Sequence, residues 1–221
     1  MTTTFSDLPL RKETIDALHL HGFTAPFAIQ EMVLPIALAD GDVIGQAKTG
    51  TGKTLAFGIP LIERVIAPND SDWQAFEHKG TPQVLVVVPT RELCVQVAKD
   101  IDELANNRGI RTLAVYGGRA FEPQIESLNA GIEIVVGTPG RLLDLYRQGQ
   151  LKLKEVSRLV LDVTSPAPSA RAPRSANWWR SWPHSSMAMR KQRAHSGPPV
   201  CSRNCSRPRP RSSLPRRTLR G

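Results

Sequence analysis

Five short runs of mostly β-branched and aliphatic residues, alternating with stretches of helical periodicity, constrain this chain more than any other feature. Val43-Ile44, Val84-Leu85-Val86-Val87-Val88, Leu113-Ala114-Val115, Ile132-Glu133-Ile134-Val135-Val136 and Leu159-Val160-Leu161 are separated by helix-like segments near 54–66, 91–106, 121–129 and 139–148. A strand that is apolar nearly throughout is buried on both faces, and strands alternating with helices are joined by crossovers that make them parallel. The pattern predicts an α/β fold with a mostly parallel sheet flanked by helices. Two more helices are expected ahead of the first strand, near 11–20 and 25–39, the second with Thr24 as N-cap and Pro26 in its first turn. Residues 68–82, containing Pro68, Gly80 and Pro82, read as a polar surface loop.

This grammar stops at Asp162. All 20 Asp and Glu lie at or before that residue, with 16 of the 29 Lys and Arg, so the first 162 residues carry a net −4 and the last 59 carry +13. The basic character therefore belongs to the tail alone. Arg, Ser, Pro and Ala supply 38 of those 59 residues, and Val163, Val200, Leu214 and Leu219 are the only Val, Leu, Ile or Phe among them. Such a segment buries too little apolar surface to offset the entropy of ordering, and disorder is expected for 163–221. Cys94, Cys201 and Cys205 do not make a disulfide framework for 221 residues. The N-terminus lacks the series of a signal peptide and no apolar run approaches a membrane span, so a cytoplasmic location without membrane contact is the expectation, while the oligomeric state is left open.

The strongest local signal is AKTGTGKT, Ala47 to Thr54, between an expected strand at 42–45 and an expected helix. In this pattern Gly50 and Gly52 let the backbone turn its N–H groups toward phosphate oxygens. Lys53 reaches the outer phosphates and Thr54 offers a hydroxyl to Mg²⁺. Ala47 stands where the general pattern has its first glycine.

Together with its flanking segments this loop resembles the first lobe of a DEAD-box RNA helicase, a RecA-like lobe in which Ala commonly opens the phosphate loop. Gly22-Phe23, Pro26 and Ile29-Gln30, with Phe5 upstream, resemble the segment by which that family reads adenine. A Gln amide offers a donor and an acceptor suited to an adenine edge. The resemblance thus assigns Phe5, Phe23, Gln30, Ala47, Thr49, Gly50, Thr51, Gly52, Lys53 and Thr54 to ATP, with Lys53 catalytic. Pro89-Thr90-Arg91 with Glu92-Leu93, then Gly117-Gly118, then Thr138-Pro139-Gly140-Arg141 resemble the segments that grip RNA. Helix N-termini, hydroxyls and guanidinium groups there would contact backbone and ignore base sequence. The expected partners are therefore ATP, Mg²⁺ and RNA. The implied division is a Q-motif region at 1–40, a truncated ATP-binding lobe at 41–162 and a basic tail at 163–221.

The resemblance also identifies Asp162 as the first letter of Asp-Glu-Ala-Asp, a catalytic carboxylate that holds Mg²⁺ largely through water, with Thr54. Val163, Thr164 and Ser165 replace the other three letters. Valine neither accepts a proton nor orients a water, and nothing after Asp162 resembles the family's second lobe. The implied outcome is ATP binding without appreciable hydrolysis, in a lobe left with an unpaired sheet edge. Two other readings stay open: a non-enzymatic nucleotide- and RNA-binding fragment whose +13 tail, with Trp178, Trp179 and Trp182, holds single strands, and a phosphate-loop ATPase of another class. Codons of G and C alone encode Pro, Arg, Ala and Gly, so the tail has the composition of GC-rich DNA read out of frame. Translating the encoding DNA in all frames is expected to place Glu-Ala-Asp directly after the codon for Asp162. Its absence from both other frames rejects the out-of-frame reading.

Overall fold

The computed structural model describes residues 4–48 and 50–162. Thr49 and the whole of 163–221, with the expected tail and its tryptophans and cysteines, lie outside the described residues. The elements in chain order are α1 (Lys12–Leu20), α2 (Ala28–Leu38), α3 (Lys53–Arg64), β1 (Val84–Val87), α4 (Arg91–Ala105), β2 (Thr112–Val115), α5 (Glu122–Ala130), β3 (Ile134–Gly137), α6 (Pro139–Arg147) and β4 (Arg158–Leu161), with 3₁₀ turns at Phe5–Asp7, Ser71–Gln74 and Asn106–Arg108. The four strands form one parallel sheet in the order β2-β3-β1-β4. Val84 pairs with Ile134 on one side and Arg158 on the other, and Val87 with Gly137 and Leu161. The strand-and-helix alternation read from the sequence is the observed architecture.

Alternation along β1 divides the core in two, because successive side chains of a strand point to opposite faces. Val84, Val86 and Val88 join Ile134 and Val136 on the face covered by α1, α3 and α4, where Leu18, Ile59, Ile62, Val97 and Ile101 are buried. Leu85, Val87 and Val135 face the other way, against Leu128 of α5 and Leu142 and Leu145 of α6. Both faces being covered is why the sequence shows unbroken apolar runs. Polar clips fix the ends. Gln83 accepts a bond from Ile66 N–H and donates to Ile66 O, both at 2.9 Å, fastening the chain after α3 to the start of β1. Arg108, almost wholly buried, donates to Asp70 at 2.6 Å and to Val65 O at 3.0 Å, and Arg11 reaches the same Asp70 at 2.8 Å. Among the described residues no helix is long and apolar enough to cross a membrane.

Two elements depart from expectation. The strand expected at 42–45 is not formed: Val43 and Ile44 are exposed, and among the described residues no backbone hydrogen bond joins 42–46 to another segment. A strand exists only through a partner's hydrogen bonds, and 42–45 pairs with neither described edge strand, β2 or β4. The second helix begins at Ala28 and not near 25. Phe27 is extended at ψ 161° and takes the N-cap place expected of Thr24, in keeping with the extended bias imposed on a residue before proline at Ala25. The surface loop at 68–82 is as expected, apart from its short turn at Ser71–Gln74.

Cys94 shows how tightly α4 seats on the sheet. It is fully buried, with Sγ 3.2 Å from Val136 O and 3.8 Å from Val115 O, and burial pushes its thiol up to about 11. An unfolded thiol ionises near its ordinary 9.0. Between these values the unfolded chain releases a proton that the folded chain keeps, so Cys94 lowers stability as pH rises through that window. Iodoacetamide at pH 8.5 is expected to leave Cys94 unmodified in the native chain and to label it in denaturant, read by peptide mass spectrometry.

Candidate functional site

Parallel strands put all their carboxyl ends on one edge of a sheet, where ligands of open α/β sheets bind. Pro89 follows β1, Gly117 follows β2, Thr138 follows β3 and Asp162 follows β4. Asp162 N–H donates to Val87 O at 2.9 Å, continuing the β4–β1 ladder by one residue. Its carboxyl is raised above the ordinary aspartate value by burial, which the charge of Lys53 partly opposes. That opposition places the lysine of the phosphate loop within electrostatic reach of the aspartate ending the sheet.

The loop from Ala47 to Thr54 leads into α3, which begins at Lys53 with Gly52 as N-cap. Gly52 has φ +80°, and a Cβ there would collide with Gln30 Nε2 and stand 2.9 Å from Phe27 Cδ2, so only glycine fits. Lys53 Nζ donates to Ala47 O at 2.7 Å and Lys48 O at 3.1 Å, and Thr51 Oγ1 donates to Lys48 O at 2.8 Å. The ammonium thus sits among the carbonyls of its own loop. Thr54 lies near enough to Asp100 of α4 to lower its carboxyl, which burial nonetheless raises. One ammonium, one hydroxyl, one carboxylate and a helix N-terminus converge here, a donor set that fits a Mg²⁺–triphosphate: cation for phosphate, oxygen ligands for magnesium. Among the described residues no group of three or more His, Cys, Asp or Glu is placed to hold a metal ion.

The residues assigned to adenine are largely engaged within the protein. Phe5 is 0% exposed and belongs to the core, and Phe23 is packed against that core, so neither ring is free. Gln30 is also fully buried; its Oε1 accepts Phe27 N–H at 2.9 Å and its Nε2 donates to Gly52 O at 2.9 Å, tying α2 to the phosphate loop. Phe27, which the sequence did not single out, is the half-exposed aromatic beside them.

The other three segments do come together. An open cleft of about 620 Å³ is lined by Pro89, Thr90, Arg91, Gly117, Thr138, Gly140 and Arg141, together with Glu92, Phe121 and Asp144. Thr90 caps α4, its Oγ1 accepting Leu93 N–H at 3.2 Å. Arg91 lies against Gly117 and Gly118; Gly118 has φ +80°, and a Cβ on it would run into the Arg91 guanidinium. Arg141 is nearly buried. It donates to Arg119 O at 2.8 Å and stands 3.8 Å above the Phe121 ring, while its Nη1 is buried without a partner. The sequence reading missed Phe121, because its ring meets Arg141 only through the fold.

The model of the family described as DEAD/DEAH box helicase matches residues 27–162. The chain is 42% identical over 158 residues to the DEAD-box ATP-dependent RNA helicase CshA of Streptococcus pneumoniae, covering 72% of this chain and 28% of the relative. It is 44% identical over 161 residues to the ATP-dependent RNA helicase DeaD of Escherichia coli, covering 72% and 24%. The solved structure of a DEAD box protein from the hyperthermophile Methanococcus jannaschii superposes with a TM-score of 0.64 at 39% identity, over 73% of this chain and 42% of that one. The chain thus spans less than a third of the length of these two curated relatives.

Gly118 and Gly140 look equally obligatory in the sequence, yet a Cβ on Gly140 would meet nothing within 4 Å. Gly118→Ala should destabilise by about 1–2 kcal/mol, the cost of a left-handed non-glycine residue, and lower the melting temperature. Gly140→Ala, in the first turn of α6, should leave the melt unchanged or raise it by up to about 1 kcal/mol in stability. Paired circular-dichroism melts check the contrast.

Proposed function

Because the chain belongs to the DEAD/DEAH box helicase family across residues 27–162, we propose that it is the ATP-binding lobe of a DEAD-box RNA helicase, holding Mg²⁺–ATP and RNA backbone without appreciable hydrolysis or unwinding. The observation that carries this reading is the shared carboxyl edge of the sheet. The phosphate loop, Asp162 and the arginine-lined cleft all open there, each at the end of a different strand or the start of a helix. Membership of the family sets aside a phosphate-loop ATPase of another class.

The roles follow from the groups present. Lys53 leaves the carbonyls of Ala47 and Lys48 and pairs with the outer phosphates, while the N–H groups of Gly50 to Thr54 receive phosphate oxygens as α3 begins. Thr54 and Asp162 would hold Mg²⁺, which when bound neutralises charge on the terminal phosphates. On the other side, Arg91 and Arg141 grip phosphodiester oxygens, and the free Nη1 of Arg141 has a hydrogen bond to give. Contacts of this kind position a strand and carry no base specificity. Hydrolysis requires a group that orients and deprotonates water. The residue after Asp162 is Val163, whose side chain does neither.

Calorimetry of the full chain is expected to show Mg²⁺-dependent ATP binding that Lys53→Ala abolishes. Phosphate release should fall about 100-fold or more below that of a relative with an intact Asp-Glu-Ala-Asp, the scale of a lost general base. RNA affinity should fall steeply with salt and be the same for unrelated sequences. Phosphate release at a relative's rate, or no ATP binding by the folded chain, defeats the proposal.

A further inference from the structure

Among the described residues the sheet ends at β4, and we propose that this edge pairs with the β4 of a second copy of the chain, antiparallel about a two-fold axis at Val160. β4 bonds only to β1. Arg158 and Asp162 direct their N–H groups toward β1, onto Gln83 O at 3.4 Å and Val87 O at 2.9 Å. The alternation of a strand therefore turns the N–H and C=O groups of Leu159 and Leu161 away from the sheet, where among the described residues they have no backbone partner. Edge strands of monomers are guarded by lysine, proline or a bulge. Arg158-Leu159-Val160-Leu161 has neither residue and pairs with β1 in unbroken register, and Leu161 is 52% exposed. The one charge in the strand is drawn aside, since Arg158 donates to Asp40. The far edge differs. Asp102 of α4, its carboxyl raised by burial, lies near enough to the outward N–H of Thr112 in β2 to be partly lowered by it.

Self-complementarity selects a second copy over any other extended segment. With the axis at Val160, Leu159 faces Leu161 of the second copy, Val160 faces Val160, and Arg158 faces Asp162. Leu159 and Leu161 then form the hydrogen-bonded pairs of an antiparallel ladder, and every outward group of the strand finds a partner. On one face the exposed Leu161 packs beside Leu159 of the second copy, which already lies on the core formed with α5 and α6. On the other face opposite charges meet at both ends of the seam. Arg158 is held by Asp40, and Asp162 is within electrostatic reach of Lys53, so Asp40 and Arg158 of one copy continue into Asp162 and Lys53 of the other as a row that alternates in sign. Shifting the register by two residues sets Arg158 opposite Val160 and loses both ion pairs. The contact uses the same surface of both copies and consumes the edge, so it closes at a dimer.

Sedimentation of the full 221-residue chain over a range of concentrations is expected to show a monomer–dimer equilibrium. Leu161→Pro removes an outward N–H and leaves the bonds from β4 to β1 in place. It should raise the dimer dissociation constant about tenfold or more, the scale of two backbone bonds lost across the two-fold, with an unchanged circular-dichroism spectrum. Charge reversal decides the register, and decides the proposal where Leu161→Pro fails to fold. Arg158→Asp and Asp162→Arg each set like charges opposite one another and are expected to be monomeric alone, whereas an equimolar mixture of the two restores both ion pairs and is expected to dimerise. A chain that sediments only as a monomer, the result if residues after Asp162 cover β4 in cis, or as an open-ended series of oligomers, overturns the proposal. So does a mixture of the two charge variants that stays monomeric, or a folded Leu161→Pro chain that dimerises as tightly as the unmutated one.

Discussion

Parallel pairing on both sides of β1 is the constraint on which the rest of the molecule depends. Because Val87 is in register with Gly137 of β3 and Leu161 of β4, the chain leaves all three strands at one level and on one edge. With strands about 5 Å apart, four of them set the segments beginning at Pro89, Gly117, Thr138 and Asp162 within about 15 Å of each other. No long loop is needed to gather them. The helices then serve two purposes: each covers a face of the sheet, and each that starts at this edge presents unpaired N–H groups to whatever binds there.

Most polar groups at this edge are engaged with the protein itself. Lys53 holds two loop carbonyls, Gln30 the carbonyl of Gly52, and Arg141 a carbonyl and the Phe121 ring. Binding therefore exchanges one set of hydrogen bonds for another, and the net gain is smaller than a count of ligand contacts would suggest. Arg141 Nη1 is an exception, being one of three buried side-chain polar atoms without a partner among the described residues. A buried donor with no acceptor is costly in the folded chain, so an oxygen brought by a ligand relieves that cost in addition to adding its own attraction.

Legibility in the sequence followed how local each cause was. The runs 84–88 and 132–136 announced themselves because burial on two faces leaves no polar position, and Thr90 and Pro139 marked helix starts by chemistry confined to a few residues. The segment 42–45 has a β-branched pair, Val43-Ile44, yet forms no strand, since a ladder is a property of two strands and only one of them lies in any such window. The candidate site behaved likewise. Glycines, Lys53 and the arginines were legible as residue types at fixed spacings. Which aromatic would be buried was not: Phe5, Phe23 and Phe27 look alike in the sequence, and the packing of α1, α2 and α3 decides that two of them join the core while the third faces solvent.

In the proposed function, binding and turnover separate at Asp162. The end of β4, beside β1, is a good place to hold a carboxylate: its backbone is fixed by the bond to Val87 O, its charge is partly desolvated, and Lys53 lies close enough to oppose that cost. All three conditions come from the sheet and the phosphate loop, and all are met by residues up to 162. Hydrolysis asks for something these conditions do not supply, a proton acceptor aimed at water beyond the terminal phosphate. That demand falls on the side chains that follow, where the sequence has Val163, Thr164 and Ser165. Under the proposed function, residues up to 162 would supply the groups that grip a triphosphate, and the group that cleaves it would be missing at the next residue along the chain.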